Sequence, residues 1–348
     1  MEEKLKAVYI TEFGGIDKLV YGDMPDPQPE SNEVIINVKA SALNHLDLGV
    51  RSGKGRLPGN FPRILGCDMS GEIVGFGKEV SGFKTGDRVL VDNRVKCDKC
   101  RYCILGEDQF CSNQMRIGVD LDGGHAEFCV VPAVNVHKIS DDIGFEEAAA
   151  MPLAFHTAWQ CVVVKGDLKP WETILIQAGG SGVGSAAIQI AKRIGAKIIT
   201  TASTDEKIDQ AIRLGAHYGI NYTTNPDFSN SVRDMNSGRL VDMILDVVGA
   251  AVWQQNLHSL KAGGRLVITG TTSGSSADID LSLLSGRPLT LMGSGGRTRR
   301  SFVDMMEVIN RGELHGVVGA VFSLDKVGEA HELMESRKFS GKIVITGS

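Results

Sequence analysis

Long apolar runs are missing from this chain. No stretch approaches the roughly 18 consecutive apolar residues that a membrane-spanning helix needs, so a membrane is not an expected partner. The opening, Met1-Glu-Glu-Lys-Leu-Lys6, has neither the apolar core of a secretion signal nor the Arg- and Ser-rich character of a transit peptide. The expected compartment is therefore the cytoplasm. A surplus of basic charge is missing as well: 37 Lys and Arg stand against 42 Asp and Glu, a net −5 at pH 7. Nucleic acid, which needs a basic footprint, is excluded as an expected partner. A disulfide framework is also absent, because the cysteines number seven, an odd count, in a long chain without a secretion signal. There is no internal repeat and no low-complexity tract.

What is present begins with length. At 348 residues the chain exceeds one typical core and suits two domains of roughly 150 residues each. Residues 4 to 140 carry short strand candidates at 5–10, 33–39, 71–76 and 87–91, separated by Gly, Pro and Asp, which predicts an antiparallel β domain. The proline-rich stretch Met24-Pro-Asp-Pro-Gln-Pro29 reads as a surface connection. From Phe145 the pattern turns helical, with 157–164 as one helix. Strands at 197–202, 218–222, 241–246, 264–269 and 288–293 then alternate with helices near 205–214, 227–236 and 250–260. Such alternation predicts a doubly wound parallel sheet, giving an α/β class overall. The tail adds helices at 301–311 and 327–336 and a closing strand at 342–346.

The chain is organised around Thr173-Ile-Leu-Ile-Gln-Ala-Gly-Gly-Ser-Gly-Val-Gly184, a β-branched run ending in a glycine-rich turn, after which helical periodicity starts. Glycines there allow a tight turn, close backbone approach and free N–H groups at a helix N-terminus, the arrangement that stabilises a pyrophosphate. A second strand at 197–202 completes the βαβ unit expected of a dinucleotide site. The turn residues Gly180, Ser181, Gly182, Val183 and Gly184 are the cofactor candidates. The second strand ends Ala202-Ser203-Thr204 without the carboxylate that favours NAD. Ser203 and Lys207 suit a 2′-phosphate, so NADP(H) is expected, with Asp205 and Glu206 as acids of a helix first turn.

Cys97, Cys100, Cys103 and Cys111 place four thiols within fifteen residues on a polar, loop-like stretch. That spacing suits one closed, structural Zn²⁺ in a lobe spanning 95–113.

Gly66-Cys-Asp-x-x-Gly71, Gly77-x-x-Val80-x-x-Phe83-x-x-Gly86-Asp-Arg-Val89, the four cysteines, the turn at 179–184 and the closing Gly341-Lys-Ile-Val344 together resemble the medium-chain dehydrogenase/reductase family. The resemblance implies a chaperonin-10-like β-rich catalytic domain from 1–155 and 296–348, a Rossmann domain from 156–295, and a junctional cleft for a nicotinamide cofactor. It also implies a homodimer or homotetramer, with the strand at 288–293 as dimer edge. The four-cysteine lobe resembles the family's structural-zinc lobe.

The catalytic zinc of the family's alcohol dehydrogenases is eroded. Its ligand positions fall on Asn44, Cys67 beside Asp68, and Leu153, and its proton-relay histidine on Gly49. Three good ligands are lacking. Asn44-His-Leu-Asp47 resembles the zinc-free quinone and enone reductases, so Asn44, Asp47 and Cys67 are the catalytic candidates. Asn44 and Asp47 also read as a turn or cap pair. His45, Thr157, Tyr222 and Lys342 join the cofactor candidates. Two basic runs, Arg51 to Arg56 and Arg297 to Arg300, suit a phosphorylated substrate such as a CoA thioester, or solvated loop charge. The expected activity is NADPH-dependent hydride transfer to an activated C=C bond of a quinone, enone or short enoyl-CoA such as acryloyl-CoA. The alternatives are an NADP(H)-dependent alcohol or aldehyde dehydrogenase and a catalytically silent NADPH-binding protein.

Overall fold

The computed structural model describes residues 4–54 and 60–347. The chain divides into two compact units, Met1–Leu153 with His315–Ser348, and Ala154–Leu314. The return to the first unit thus comes at His315, later than the boundary expected at 295/296. The helix Arg299–Ile309 stays with the second unit, where the Ser301 hydroxyl and His156 Nε2 are 2.8 Å apart and Phe302 meets the His156 ring edge-on.

In the first unit the long strand Glu33–Ala42 is the spine of a seven-stranded sheet. One side pairs antiparallel with Asp68–Phe76. The other pairs with Phe128–Pro132 along its first half and with Lys342–Thr346, from the far end of the chain, along its second. Alternation along the spine buries Val34, Ile36 and Val38 against Met69, Ile73, Val89 and Val131, as a half-buried strand requires. The proline-rich connection is in part a strand: Val20–Pro25 pairs with Lys4–Ile10 at the edge of a separate three-stranded sheet, a place where proline is tolerated.

The second unit holds six parallel strands in the order Tyr218–Asn221, Lys197–Ala202, Thr173–Ile176, Val241–Asp246, Leu260–Ile268, Thr290–Gly293. The order reverses beside Thr173–Ile176, so the carboxyl end of that strand is the switch point at which such sheets bind ligands. Leu175, Ile199, Ile244 and Leu266 pack with Phe228 and Val232 of one covering helix. The helix expected over 157–164 changes pitch: Pro152–Trp159 is α, and Gln160–Lys165 winds as a π-helix. The valine run 162–164 has low α propensity. Among the described residues no helix is long and apolar enough to cross a membrane.

Candidate functional site

The glycine turn leaves the strand at Ala178, whose φ of +55° lies in the left-handed region. The Ala178 carbonyl accepts both the N–H (2.9 Å) and the hydroxyl (2.7 Å) of Ser181. Ser181 Oγ then accepts the Gly184 N–H at 3.0 Å, capping the helix Gly182–Ile194. A Cβ at 184 would lie 2.2 Å from the Ala178 oxygen, so only glycine closes this turn. A Cβ at 180 would press 3.1 Å from the Lys207 stem, which lies over the turn. The site is thus a backbone cradle that side chains would fill, and it suits a pyrophosphate.

Ser203, half-buried, follows the strand Lys197–Ala202, and its carbonyl accepts from Thr223 Oγ1 at 2.9 Å. Thr204 caps the next helix, accepting from the Lys207 N–H, and Asp205 is held by Asn221 Nδ2 at 2.8 Å. Burial holds the Lys207 ammonium below its usual pKa. Tyr222 is exposed, with its N–H on the Ala202 carbonyl. Thr157 Oγ1 accepts from Arg297 Nη1 at 2.7 Å.

In the first unit three strands converge on one charge cluster. Ala42 faces Asp68 across one ladder and Val344 across the other, which brings Asn44, Asp68 and Lys342 together. The Lys342 ammonium donates to Asn44 Oδ1 at 2.6 Å and to Asp68 Oδ2 at 2.9 Å, and Asn44 Nδ2 donates to the same Asp68 oxygen at 2.9 Å. Asp68 Oδ1 accepts the Leu153 N–H at 2.9 Å. All three side chains are buried. Lys342, expected at the cofactor, therefore has its ammonium on Asn44 and Asp68.

Asp47 Oδ2 accepts the Asn44 N–H at 2.7 Å, tying down the start of the helix His45–Ser52, while Oδ1 accepts from Gly66 N at 3.2 Å and from the Cys67 thiol at 3.8 Å. Burial raises the Asp47 pKa to about 6. Cys67 lies wholly buried among Ile10, Val50, Leu65 and Val119. Burial, and then the neighbouring Asp47 and Asp68, push its thiol well above its ordinary pKa. A neutral thiol in that cluster packs the core, and Asp47 is a cap. These two catalytic candidates thus stand behind the cluster, and His45 is exposed at the helix start.

Among the described residues no donor set for a second metal gathers here. Asn44 already bonds a cation, Leu153 offers only its backbone N–H, and the Cys67 thiol packs in the core.

The lobe differs. The Sγ separations Cys97–Cys111 and Cys100–Cys103 are 3.5 Å and Cys97–Cys103 is 3.9 Å, with all four sulfurs within 4.8 Å of one another. A tetrahedron with Zn–S bonds of ~2.3 Å has sulfur edges of about 3.8 Å, so the set fits one zinc and leaves no open position. The N–H groups of Lys99 and Cys100 hold the Cys97 thiol below its usual pKa, while burial and the neighbouring thiols hold Cys103 above it, as expected of four sulfurs crowded together.

The basic runs divide. Arg51 is buried, bonded to His331 Nδ1 at 3.0 Å and paired with Glu335, and Arg297 is buried on Thr157. These two are interior cations, which fits neither solvated loop charge nor a phosphate contact for them. Lys54 and Arg300 are exposed, and Arg56 lies outside the described residues. Sequence reasoning missed Asp68 as a partner of Lys342, and also the buried residues Gln177, Asn256 and Asp246 behind the turn.

Residues 30–141 match the alcohol dehydrogenase GroES-like domain, and 182–311 match the zinc-binding dehydrogenase family. Over 347 residues the chain is 30 % identical to a NAD-dependent alcohol dehydrogenase of Sulfolobus acidocaldarius, covering 98 % of this chain and 99 % of that one. It is 28 % identical to an acryloyl-coenzyme A reductase of Sulfurisphaera tokodaii, over 93 % of this chain and 95 % of that one. The crystal structure of a NAD-dependent alcohol dehydrogenase superposes with a TM-score of 0.93 at 37 % identity, covering 98 % of this chain and 99 % of that one. With family domains matched in both halves and a relative aligned end to end, the chain belongs to the zinc-type medium-chain dehydrogenase/reductase family and is an oxidoreductase.

Proposed function

We propose that this protein is an NADPH-dependent reductase of activated C=C bonds, acting on quinones, enones or short enoyl-CoA thioesters. The observation that carries the reading is the Lys342 ammonium bonded by Asn44 and Asp68: the buried cation of this cluster is an amine. In metal-dependent alcohol oxidation a Lewis acid stabilises the alkoxide. An enone or enoyl thioester delocalises the charge that develops after hydride transfer as an enolate, so hydrogen-bond donors suffice. The relative named acryloyl-coenzyme A reductase acts on a substrate of that class.

Bound at the glycine turn, the nicotinamide cofactor would supply the hydride. The chain's own part is to cradle the pyrophosphate on the turn and to meet a 2′-phosphate with Ser203, Lys207 and Tyr222. The strand end carries no carboxylate, and Asp205 is engaged by Asn221. In the lobe the four cysteines would hold a structural zinc that orders a loop.

Alcohol oxidation is the second reading, favoured by the alcohol dehydrogenases among the relatives. A panel of quinones, enones, enoyl-CoAs and primary alcohols, run with both nicotinamide nucleotides, separates the two. NADPH consumption on the unsaturated carbonyls is expected, and turnover confined to alcohols would reject the proposal. Silence on the whole panel with tight NADPH binding would mark a catalytically silent binder.

A further inference from the structure

Across the carboxyl ends of three neighbouring strands of the second unit runs an unbroken chain of buried polar side chains. Asp246 Oδ1 accepts the N–H groups of Val248 at 2.7 Å and Gly249 at 3.0 Å, and its Oδ2 accepts from Asn256 Nδ2 at 3.0 Å. Asn256 Oδ1 accepts from Gln177 Nε2 at 2.6 Å, and Gln177 Oε1 accepts from the Thr201 hydroxyl at 2.5 Å. Thr201 Oγ1 in turn accepts the Ala178 N–H at 3.3 Å. Asp246, Asn256, Gln177 and Thr201 are all 0 % exposed, so no water competes at any link.

The chain has a direction. A carboxylate only accepts, which obliges Asn256 to turn its amide nitrogen toward Asp246. The Asn256 oxygen then takes the Gln177 nitrogen, and the Gln177 oxygen takes the Thr201 proton. With that proton committed, Thr201 offers lone pairs alone, and the group that meets them is the N–H of the left-handed residue from which the glycine turn departs. The Ala178 carbonyl meanwhile anchors Ser181. One carboxylate therefore governs both the turn after Thr173–Ile176 and the loop after Val241–Asp246.

We infer that Asp246 is a positioning residue for the dinucleotide turn, acting through Asn256, Gln177 and Thr201 on Ala178. This rests on the reading of the turn as the nucleotide site. Asp246→Asn presents an NH₂ group to Asn256. The chain must then either hold two opposed donors or reverse every amide, which leaves Thr201 facing two donors with its own proton unspent. Adding Gln177→Glu supplies an acceptor-only group at the far end, and the reversed chain is satisfied at every link.

The test is NADPH binding to the full-length protein. Asp246→Asn should raise the dissociation constant by about tenfold, or 1.4 kcal/mol. The double variant should return to within about threefold of the parent, with urea unfolding showing all three proteins fully folded under the binding conditions, so that lost stability does not account for the change. NADPH affinity unchanged in Asp246→Asn, or a double variant that binds no better than the single, would overturn the inference. Should Asp246→Asn not fold, the nearly isosteric Thr201→Val reads the last link: binding about fivefold weaker is expected, and unchanged affinity refutes it. A parent protein that binds neither NADPH nor NADH would instead defeat the nucleotide reading itself.

Discussion

Lys342 and Asp68 show how much a single buried pair decides. Two opposite charges out of water are tolerated because each is also hydrogen-bonded, the ammonium by Asn44 and the carboxylate by Asn44 and Leu153. Lys342→Met strands a buried carboxylate and should cost about 3–5 kcal/mol in urea unfolding, whereas Lys342→Met with Asp68→Asn should recover much of that loss. Equal losses in the two variants would show that the pair is not coupled. Titration supplies a second expectation. Burial is the largest cause holding His125 and His331 down to about 3, Lys342 adding to it at His125 and then His125 and Arg51 at His331. The unfolded chain therefore takes up protons below the ordinary histidine value that the folded chain refuses, and stability falls as pH drops from about 6.5 toward 3. Asp47 has the opposite sign. With its pKa raised to about 6, its contribution is present below the ordinary value of 3.8 and is lost as pH rises through 6. Between about pH 4 and 6, His331→Gln should flatten the stability profile and Asp47→Asn should steepen it. Parallel profiles for both variants would contradict this assignment.

Elements differ in how openly the sequence declares them. The strand Thr173–Ile176, the turn and the helix Gly182–Ile194 were legible because every signal is local: β-branched residues, then glycines, then a serine cap. The four cysteines were legible for the same reason, lying within one short loop. The cluster around Lys342 was not, because its members are 24, 274 and 298 residues apart and meet only through strand pairing. The buried chain from Asp246 to Thr201 was hidden likewise, since Gln177 and Asn256 are ordinary polar residues until the sheet aligns them. The change to π pitch at Gln160 leaves no distinct trace in hydrophobic spacing, which is similar for the two helix types over one turn. Two element-level variants test the local assignments. Ser181→Ala removes the cap of Gly182–Ile194 and should cost about 1 kcal/mol by denaturant unfolding. Cys103→Ser should release the lobe zinc, read by metal analysis, and open 97–111 to limited proteolysis. Retention of a full zinc by that variant would contradict the four-sulfur site.

For the whole molecule, a largely antiparallel unit built from both chain ends, with one parallel pair between Val318–Ser323 and Lys342–Thr346, and a parallel six-stranded unit between them accord with its family of oxidoreductases. In its cluster an ammonium sits between Asn44 and Asp68, and under the proposed function this is what sets the chain apart from metal-dependent members. The family resemblance led to the expectation of absent metal ligands at Asn44 and Leu153, and the strand register shows which cation Asp68 faces. The proposed function thus pairs hydride chemistry with a single, structural metal. The direct measurement is the zinc content per chain of protein assayed in the same preparation on an enone and on a primary alcohol. One zinc per chain, removed only with the four-cysteine lobe, and NADPH oxidation on the enone are expected. A second zinc per chain whose removal abolishes turnover would contradict the proposed function.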